Sequence, residues 1–213
     1  MVSKQNIRYN PELKSINYMG PGIVALLLTL ITMFLTSISI VREKEQQTID
    51  TLLISRLRPI EIYIGKAIPM GIVGIIDMII GIFIVVLWFQ IPIRGNLIYL
   101  FIAAIIYLTA ILSYALLISI ASSSQQQSLF FSWFSMITFI LMSGIFTPID
   151  NIPDKLKWLA DINPLRYLIK IIREIFLKGN GIEYFYQDLI ILTVITIVIT
   201  TLSMANFKRF ISN

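Results

Sequence analysis

The stretch REKEQQTIDTLLISRLRPIEIYIGK, residues 42–66, is a charged interruption between two long apolar runs. Residues 20–41 contain no charged side chain, and residues 67–89 contain a single one, Asp77. Since a helix rises about 1.5 Å per residue and a bilayer core is about 30 Å thick, each run is long enough to cross a membrane. The polar stretch between two such spans must therefore lie at a membrane face.

The composition also indicates a membrane protein. Of the 213 residues, 57% are hydrophobic and only 14% are charged, whereas about 25% of the residues of a soluble domain are charged. The net charge is +5, but the basic residues flank the apolar runs, so lipid headgroups explain them better than nucleic acid does. The chain has no Cys and no His, which excludes disulfides and serine catalysis with a histidine base and argues against the usual zinc sites.

The apolar runs predict an all-α integral membrane protein with five transmembrane helices. No internal repeat divides them into two halves, as it does in many secondary transporters. The predicted spans are residues 20–41, 66–89, 97–121, 128–147 and 188–207.

A segment of mixed polarity, residues 148–186, separates the last two spans. Asn163 and Pro164 are typical of a helix cap followed by proline in the first turn, and apolar residues recur after them at helical spacing until Gly179. A helix of about 15 residues is too short to cross a bilayer alone. The segment predicts a re-entrant or interfacial helical hairpin, with a plain amphipathic helix on the outer surface as the alternative.

Within residues 42–58, apolar side chains follow one helical stripe and charged side chains occupy the opposite face. Proline disfavours a helical residue before it, so the Arg58–Pro59 pair ends this helix, and a second helix leads into the next span. The sequence therefore predicts an elbow. The residues alone leave open whether the amphipathic helix contacts a protein or only lipid.

Two groups of charges need an explanation. Asp77 lies in the middle of a span, where an acid is costly and usually faces the protein interior or water. It either lines a pathway or bonds to Ser, Thr or Tyr of a neighbouring span. Arg166, Lys170 and Arg173 lie in the hairpin segment, where they face solvent or contact lipid phosphates or a substrate.

Two blocks of this sequence resemble the permease subunit of ABC transporters of the type-2 exporter family. The first follows E-x-E-x-G-T-x-E-x-L-L and then G-K-x-x-P, with Gln47 at the usual Gly and Asp50 at the usual Glu. The second follows G-x-x-x-P-x-x-x-x-P, then N-P-x-x-Y and R-x-x-x-L-K-G. The matching residues are Glu43, Glu45, Thr48, Leu52, Leu53, Gly65, Lys66 and Pro69 in the first block, and Gly144, Pro148, Pro153, Asn163, Pro164, Tyr167, Arg173, Lys178 and Gly179 in the second.

The resemblance implies a permease subunit of an ATP-driven exporter in the cell membrane, paired with a second permease subunit (the same or a different chain) and surrounded by lipid. It implies that residues 42–58 form a cytoplasmic coupling helix for a separate ABC ATPase, and that residues 148–186 form an external hairpin. ATP and magnesium are expected on that ATPase, since this chain has no G-x-x-x-x-G-K-[ST] motif. We expect no cofactor on this chain. The expected coupling residues are Glu43, Glu45, Thr48, Asp50, Leu52 and Leu53, and the expected hairpin residues are Pro148, Pro153, Asn163, Pro164 and Arg173.

The resemblance also implies an orientation. Residues 1–19 would be the tail of an external region, the permease domain would occupy residues 20–207, and residues 208–213 would be a cytoplasmic C-terminus. Family members carry a first span and an external domain before this point, so a separate N-terminal half is an expected partner. Lys and Arg are more numerous on the side made external, so the positive-inside rule does not support this orientation, and the expectation rests on the family pattern.

Two other functions remain as rivals. A non-transporting membrane scaffold or accessory subunit would keep the spans without a transport pathway. An intramembrane enzyme is disfavoured, because Asp77 is the only acid in the interior of a predicted span.

Overall fold

Residues 15–49, 58–91, 93–146 and 153–212 are described by a computed structural model of the chain. Within these residues every regular element is helical. Of the predicted site residues, Asp50, Leu52, Leu53 and Pro148 lie outside the described ranges.

The elements follow one another as five longer helices with a short pair inserted before the last. The first four are α1 (Ser15–Glu45), α2 (Pro59–Leu87), α3 (Leu97–Ala121) and α4 (Gln125–Leu141). The short pair is α5 (Asp154–Asp161) and α6 (Pro164–Arg173), and α6 continues as the π-helical turn Glu174–Lys178. The last helix is α7 (Tyr186–Ser212).

Four helices of the described part are long and apolar enough to cross a membrane. They are Met19–Glu45 within α1, Pro59–Leu87, Leu97–Ala121 and Tyr186–Ile211 within α7. The helix α4 has 17 residues, about 26 Å at the usual rise, which is shorter than a bilayer core of about 30 Å. The fourth predicted span, residues 128–147, therefore stays a prediction, and so does the count of five.

The helix α3 lies at the centre of the bundle. It packs against α1, α2, α4, α6 and α7, and residues such as Tyr107, Ile111 and Ala115 are completely buried. The outer helices present rows of β-branched side chains to their surroundings, for example Ile72 and Ile76 on α2. A helix that is apolar on its outward face as well is typical of a protein surrounded by lipid.

The helices run past the apolar segments from which they were predicted. The coupling helix was expected to start at residue 42, but residues 42–45 are the last turn of α1. The second membrane helix starts at Pro59 instead of residue 66, and the last one covers Tyr186–Ser212 instead of 188–207. The physical reason is that polar helix ends continue wherever water or neighbouring groups satisfy them. The break before Pro59 is confirmed, because Arg58 is extended, with φ −72° and ψ 148°.

Of the short pair, α6 is buried inside one end of the bundle, whereas α5 is mostly exposed. Seven of the ten residues of α6 are buried, and Leu168, Ile172 and Phe176 line the same small internal void as Leu28 of α1 and Ala104 of α3. A helix lying on an outer surface would expose one face, so this alternative does not describe α6. The predicted stop is confirmed at Gly179, which has a left-handed φ of 67°.

Candidate coupling site at the end of α1

The last turn of α1 carries four consecutive charged residues, Arg42 to Glu45, and the last three, Glu43, Lys44 and Glu45, contact other helices. Successive residues of an α-helix point about 100° apart, so these three side chains reach three different neighbours. They lie at the end of the bundle where α1 and α3 finish and α2 and α4 begin, which we call the junction end. The opposite end, which contains α5 and α6, is called the hairpin end.

Glu43 reaches α2. Its Oε1 lies 2.6 Å from Lys66 Nζ, and the two side chains are only 26% and 14% exposed. The other carboxylate oxygen, Oε2, is buried and has no hydrogen-bond partner among the described residues. Because a partly desolvated carboxylate loses much of its hydration, this ion pair is the main compensation that the described structure offers to Glu43.

Lys44 reaches the end of α3. Its ammonium group donates to the carbonyl oxygens of Ile120 and Ser122, the latter at 3.1 Å. The last carbonyl groups of a helix have no partner within the helix, and they carry the negative end of its dipole. The same Nζ lies 4.7 Å from the centre of the Phe210 ring of α7. Lys44 therefore acts as a cap for α3.

Glu45 reaches the beginning of α4. Its carboxylate accepts a hydrogen bond from the backbone N–H of Gln125 at 2.8 Å and another from the Gln125 side-chain amide. Gln125 is the first residue of α4. A carboxylate is stabilised at a helix N-terminus, where backbone N–H groups are unpaired and the helix dipole is positive.

Buried hydroxyl groups reinforce this attachment one turn earlier. Ser119 Oγ of α3 accepts from the backbone N–H groups of Ile40 and Val41, both at 3.0 Å. Ser128 Oγ of α4 donates to the carbonyl oxygen of Ser37 at 2.6 Å. The backbone of α1 is thus bonded directly to side chains of both α3 and α4.

The chain then turns away from α1. Gln47 has a left-handed φ of 56°, and the Thr48 N–H donates to the Glu43 carbonyl at 3.0 Å. The exposed turn ends at Ile49, which packs against a cluster formed by Ile40, Ile62, Tyr63, Leu116 and Phe207 of four helices. The predicted coupling helix continues into residues outside the described ranges.

The structure gives the predicted coupling residues unequal surroundings. Thr48 is exposed, whereas Glu43 and Glu45 already have partners within the chain. Their docking role stays a prediction. Contacts of Lys44 and Gln125 are not predictable from the sequence, because alternating charge at a helix end is typical of a solvent-exposed face.

Asp77 lies half-buried in the middle of α2. It sits between Gly74 and Gly81, where α2 approaches α1: a Cβ at Gly74 would lie 2.8 Å from Thr32 Oγ1, and one at Gly81 would lie 3.2 Å from Val24. The Asp77 oxygen Oδ2 is buried without a hydrogen-bond partner among the described residues. The expected bond to a neighbouring hydroxyl is therefore not observed there, and a pathway role stays a prediction.

The described hairpin residues hold α6 in place. Asn163 is 1% exposed; its Oδ1 accepts from Leu165 N–H at 3.0 Å and its Nδ2 donates to the Phe139 carbonyl of α4 at 2.7 Å. Pro164 is the first residue of α6, so the predicted cap is confirmed. Pro153 immediately precedes α5. Arg173 donates to the Gly144 carbonyl at 3.3 Å, so its guanidinium contacts the protein itself.

These features define a multi-pass helical membrane protein, with polar contacts between helices at one end and the buried helix α6 at the other. The family model of the ABC-2 type transporter matches residues 3–177. The chain belongs to this family of ABC transporter membrane components. It is a protein of the cell membrane.

Several curated proteins are similar to this chain. It is 36% identical over 201 residues to the probable multidrug ABC transporter permease YbhR of Escherichia coli (strain K12), covering 94% of this chain and 55% of the relative. It is 30% identical over 173 residues to the probable multidrug ABC transporter permease YbhS of the same strain, covering 81% and 46%. The inner membrane transport permease YhhJ is 22% identical over 206 residues, covering 96% and 55%. The chain thus spans about half the length of these relatives.

Proposed function

We propose that this chain is a permease subunit of an ATP-driven exporter, which forms a translocation pathway with a second permease subunit and couples to a separate cytoplasmic ATPase. The observation that carries the proposal is the end of α1. A long apolar helix is tied there to three neighbours by Glu43, Lys44 and Glu45, and it leads directly into the predicted docking segment. Membership of the ABC-2 type transporter family supports the same function.

The proposed coupling runs through Ile49. A displacement of the docking segment would press on the apolar cluster around Ile40, Ile62 and Phe207, which joins the ends of α1, α2, α3 and α7. Close packing transmits such a displacement, because a packed interior has little free volume. ATP and magnesium would bind the ATPase, whose closure would move the spans between inward-facing and outward-facing states.

Drug-sized amphipathic compounds are the proposed substrate class. Two of the relatives are named multidrug permeases, which motivates this choice. A groove of about 570 Å³ between α3, α4 and α7 is lined by aromatic and aliphatic side chains, including Tyr114, Phe134 and Phe139. Drug-sized ligands occupy sites of roughly 300–1,000 Å³, so the groove has a suitable volume. Asp77 of α2, which does not line this groove, is separately proposed as a pathway residue.

Co-purification and efflux test this function. The tagged chain, extracted from its own membranes, is expected to bring down a cytoplasmic ABC ATPase, and replacing Asp50 with Lys is expected to abolish this binding. Cells lacking the chain are expected to accumulate more ethidium than cells that carry it. An exposed charge far from the docking segment provides the matched control, with Glu183→Lys at the hairpin end.

Two results would contradict the proposal. If no ATPase accompanies the wild-type chain, the coupling assignment is wrong. If an ATPase binds but neither its hydrolysis rate nor ethidium efflux depends on the chain, a non-transporting scaffold is the better description.

A further inference from the structure

Glu43, Lys44 and Glu45 at the end of α1 make three different kinds of contact, and all three contacts are with the ends of other helices. Each joins α1 to the terminus of another helix: Glu43 to the first turns of α2, Lys44 to the end of α3 and Glu45 to the start of α4. Lys44 and Glu45 also bracket the short connection between α3 and α4, residues 122–124. One helical turn therefore holds three neighbouring helix ends.

We propose that Glu43, Lys44 and Glu45 form a positioning junction, which keeps the ends of α2, α3 and α4 in register with α1 so that they move together with the docking segment. This inference rests on the proposed function and changes the role of two residues in it. Glu43 and Glu45 act through other helices, and they are not contacts for the ATPase.

The directions of the side chains support positioning over docking. The Glu43 carboxylate points into the chain, with one oxygen on Lys66 and the other buried. The groups left for a partner are the exposed ones around it, namely Arg42 and the turn of Gln46, Gln47 and Thr48.

The buried hydroxyl contacts explain why the junction can transmit movement. Ser119 and Ser128 bond to the α1 backbone less than two turns from Glu43, so α1 cannot slide past α3 or α4 without breaking them. A bond to the backbone also holds whatever the side-chain rotamers of α1 are. The charged residues then fix the ends, and the hydroxyl groups fix the register.

A charge swap separates positioning from docking. Glu43→Lys places two cations together and is expected to separate the ends of α1 and α2, whereas the double variant Glu43→Lys, Lys66→Glu restores an ion pair of opposite sense. The cysteine-free chain allows spin labels at Thr48→Cys and Ile64→Cys, both exposed. The distance distribution between them is expected to broaden in the single variant and to narrow again in the swap. Glu43→Gln is the milder variant if Glu43→Lys does not insert, and Glu183→Lys, at an exposed acid of the hairpin end, is the matched control.

The complex with the ATPase gives the functional measurement. The single variant is expected to keep the bound ATPase but to lose ethidium efflux, and the swap is expected to recover efflux. Loss of ATPase binding that the swap does not recover would overturn the inference in favour of docking. An unchanged label distance in Glu43→Lys and Glu43→Gln would overturn it as well. Absence of the ATPase from the wild-type complex would instead refute the proposed function, and the label distances would still decide whether the junction exists.

Discussion

The two ends of the bundle hold their helices together by different physical means. At the junction end, charged side chains such as Glu43 and Lys66 bond across helix termini and remain partly exposed. At the hairpin end, α6 inserts completely buried side chains such as Leu168 and Ile169 between the long helices. A solvent-exposed ion pair contributes about 0–1 kcal/mol, and a partly buried one such as Glu43–Lys66 gains little net stability after desolvation. Truncating a buried Leu, in contrast, costs about 2–5 kcal/mol. The comparison indicates that the hairpin end supplies stability and that the junction end sets the relative positions of the helices.

Truncating a buried side chain of α6 should have the largest effect on stability. Leu168→Ala removes a fully buried side chain of α6 and is expected to cost about 2–5 kcal/mol because it leaves a cavity. The measurement is the thermal unfolding of the detergent-solubilised chain, monitored by size-exclusion chromatography after heating. Leu156→Ala in α5, at a side chain that is 40% exposed, is the control. An equal loss of thermal stability in both variants would contradict the conclusion that the buried side chains of α6 supply stability.

Adding a methyl group at each end tests how tightly the two ends are packed. A Cβ at Gly95 would lie 2.9 Å from the Ile175 carbonyl oxygen, whereas one at Gly65 would meet no atom of the described residues within 4 Å. Gly95→Ala is expected to destabilise by about 1–3 kcal/mol through overpacking. Gly65→Ala is expected to be neutral or stabilising by up to about 1 kcal/mol, because alanine favours a helix. The same melting measurement tests both variants. A larger loss of stability in Gly65→Ala than in Gly95→Ala would contradict the comparison between the two ends.

The polar anchor of the hairpin should have an intermediate effect. Asn163→Ala removes the cap of α6 and the bond to the Phe139 carbonyl, with an expected cost of about 0.5–2 kcal/mol. Asn163→Ser keeps a capping oxygen but is too short for the second bond, so it should recover part of the loss. If both variants melt at the wild-type temperature, the burial of α6 does not depend on this anchor.

A single junction contact should have the smallest effect on stability. Glu45→Gln weakens only an exposed contact with Gln125, so no resolvable change in melting temperature is expected in low or high salt. The effect is expected instead in the coupling of efflux to ATP hydrolysis. A drop in melting temperature as large as that of Asn163→Ala would show that the junction end also carries stability.

Local signals made parts of this structure predictable. The bounds of α3 coincide with a predicted span, because an uninterrupted apolar run is flanked by Asn96, whose side chain caps the helix at Ile98 N–H, and by the polar residues after Ala121. The cap at Asn163 and the stop at Gly179 were also predictable, since both act on backbone groups within a few residues. Such effects need no knowledge of distant residues.

The contacts of the candidate site were not predictable in the same way. Glu43 and Lys66 are 23 positions apart, and Glu45 and Gln125 are 80 apart. A charged helix end predicts solvent exposure, because most such ends are exposed. The burial of α6 was left open for a related reason, since helical spacing of apolar residues shows that a face is covered but does not identify what covers it.

The sequence by itself therefore determined that this is an all-helical membrane protein, where several of its helices begin and end, and which family it belongs to. Hydropathy and helix capping depend on short stretches of chain, so the local sequence is enough to predict them. Only the tertiary structure decided that Glu43, Lys44 and Glu45 hold three different helices and that α6 lies inside the bundle. Those outcomes depend on which termini meet in space, and packing around α3 brings them together.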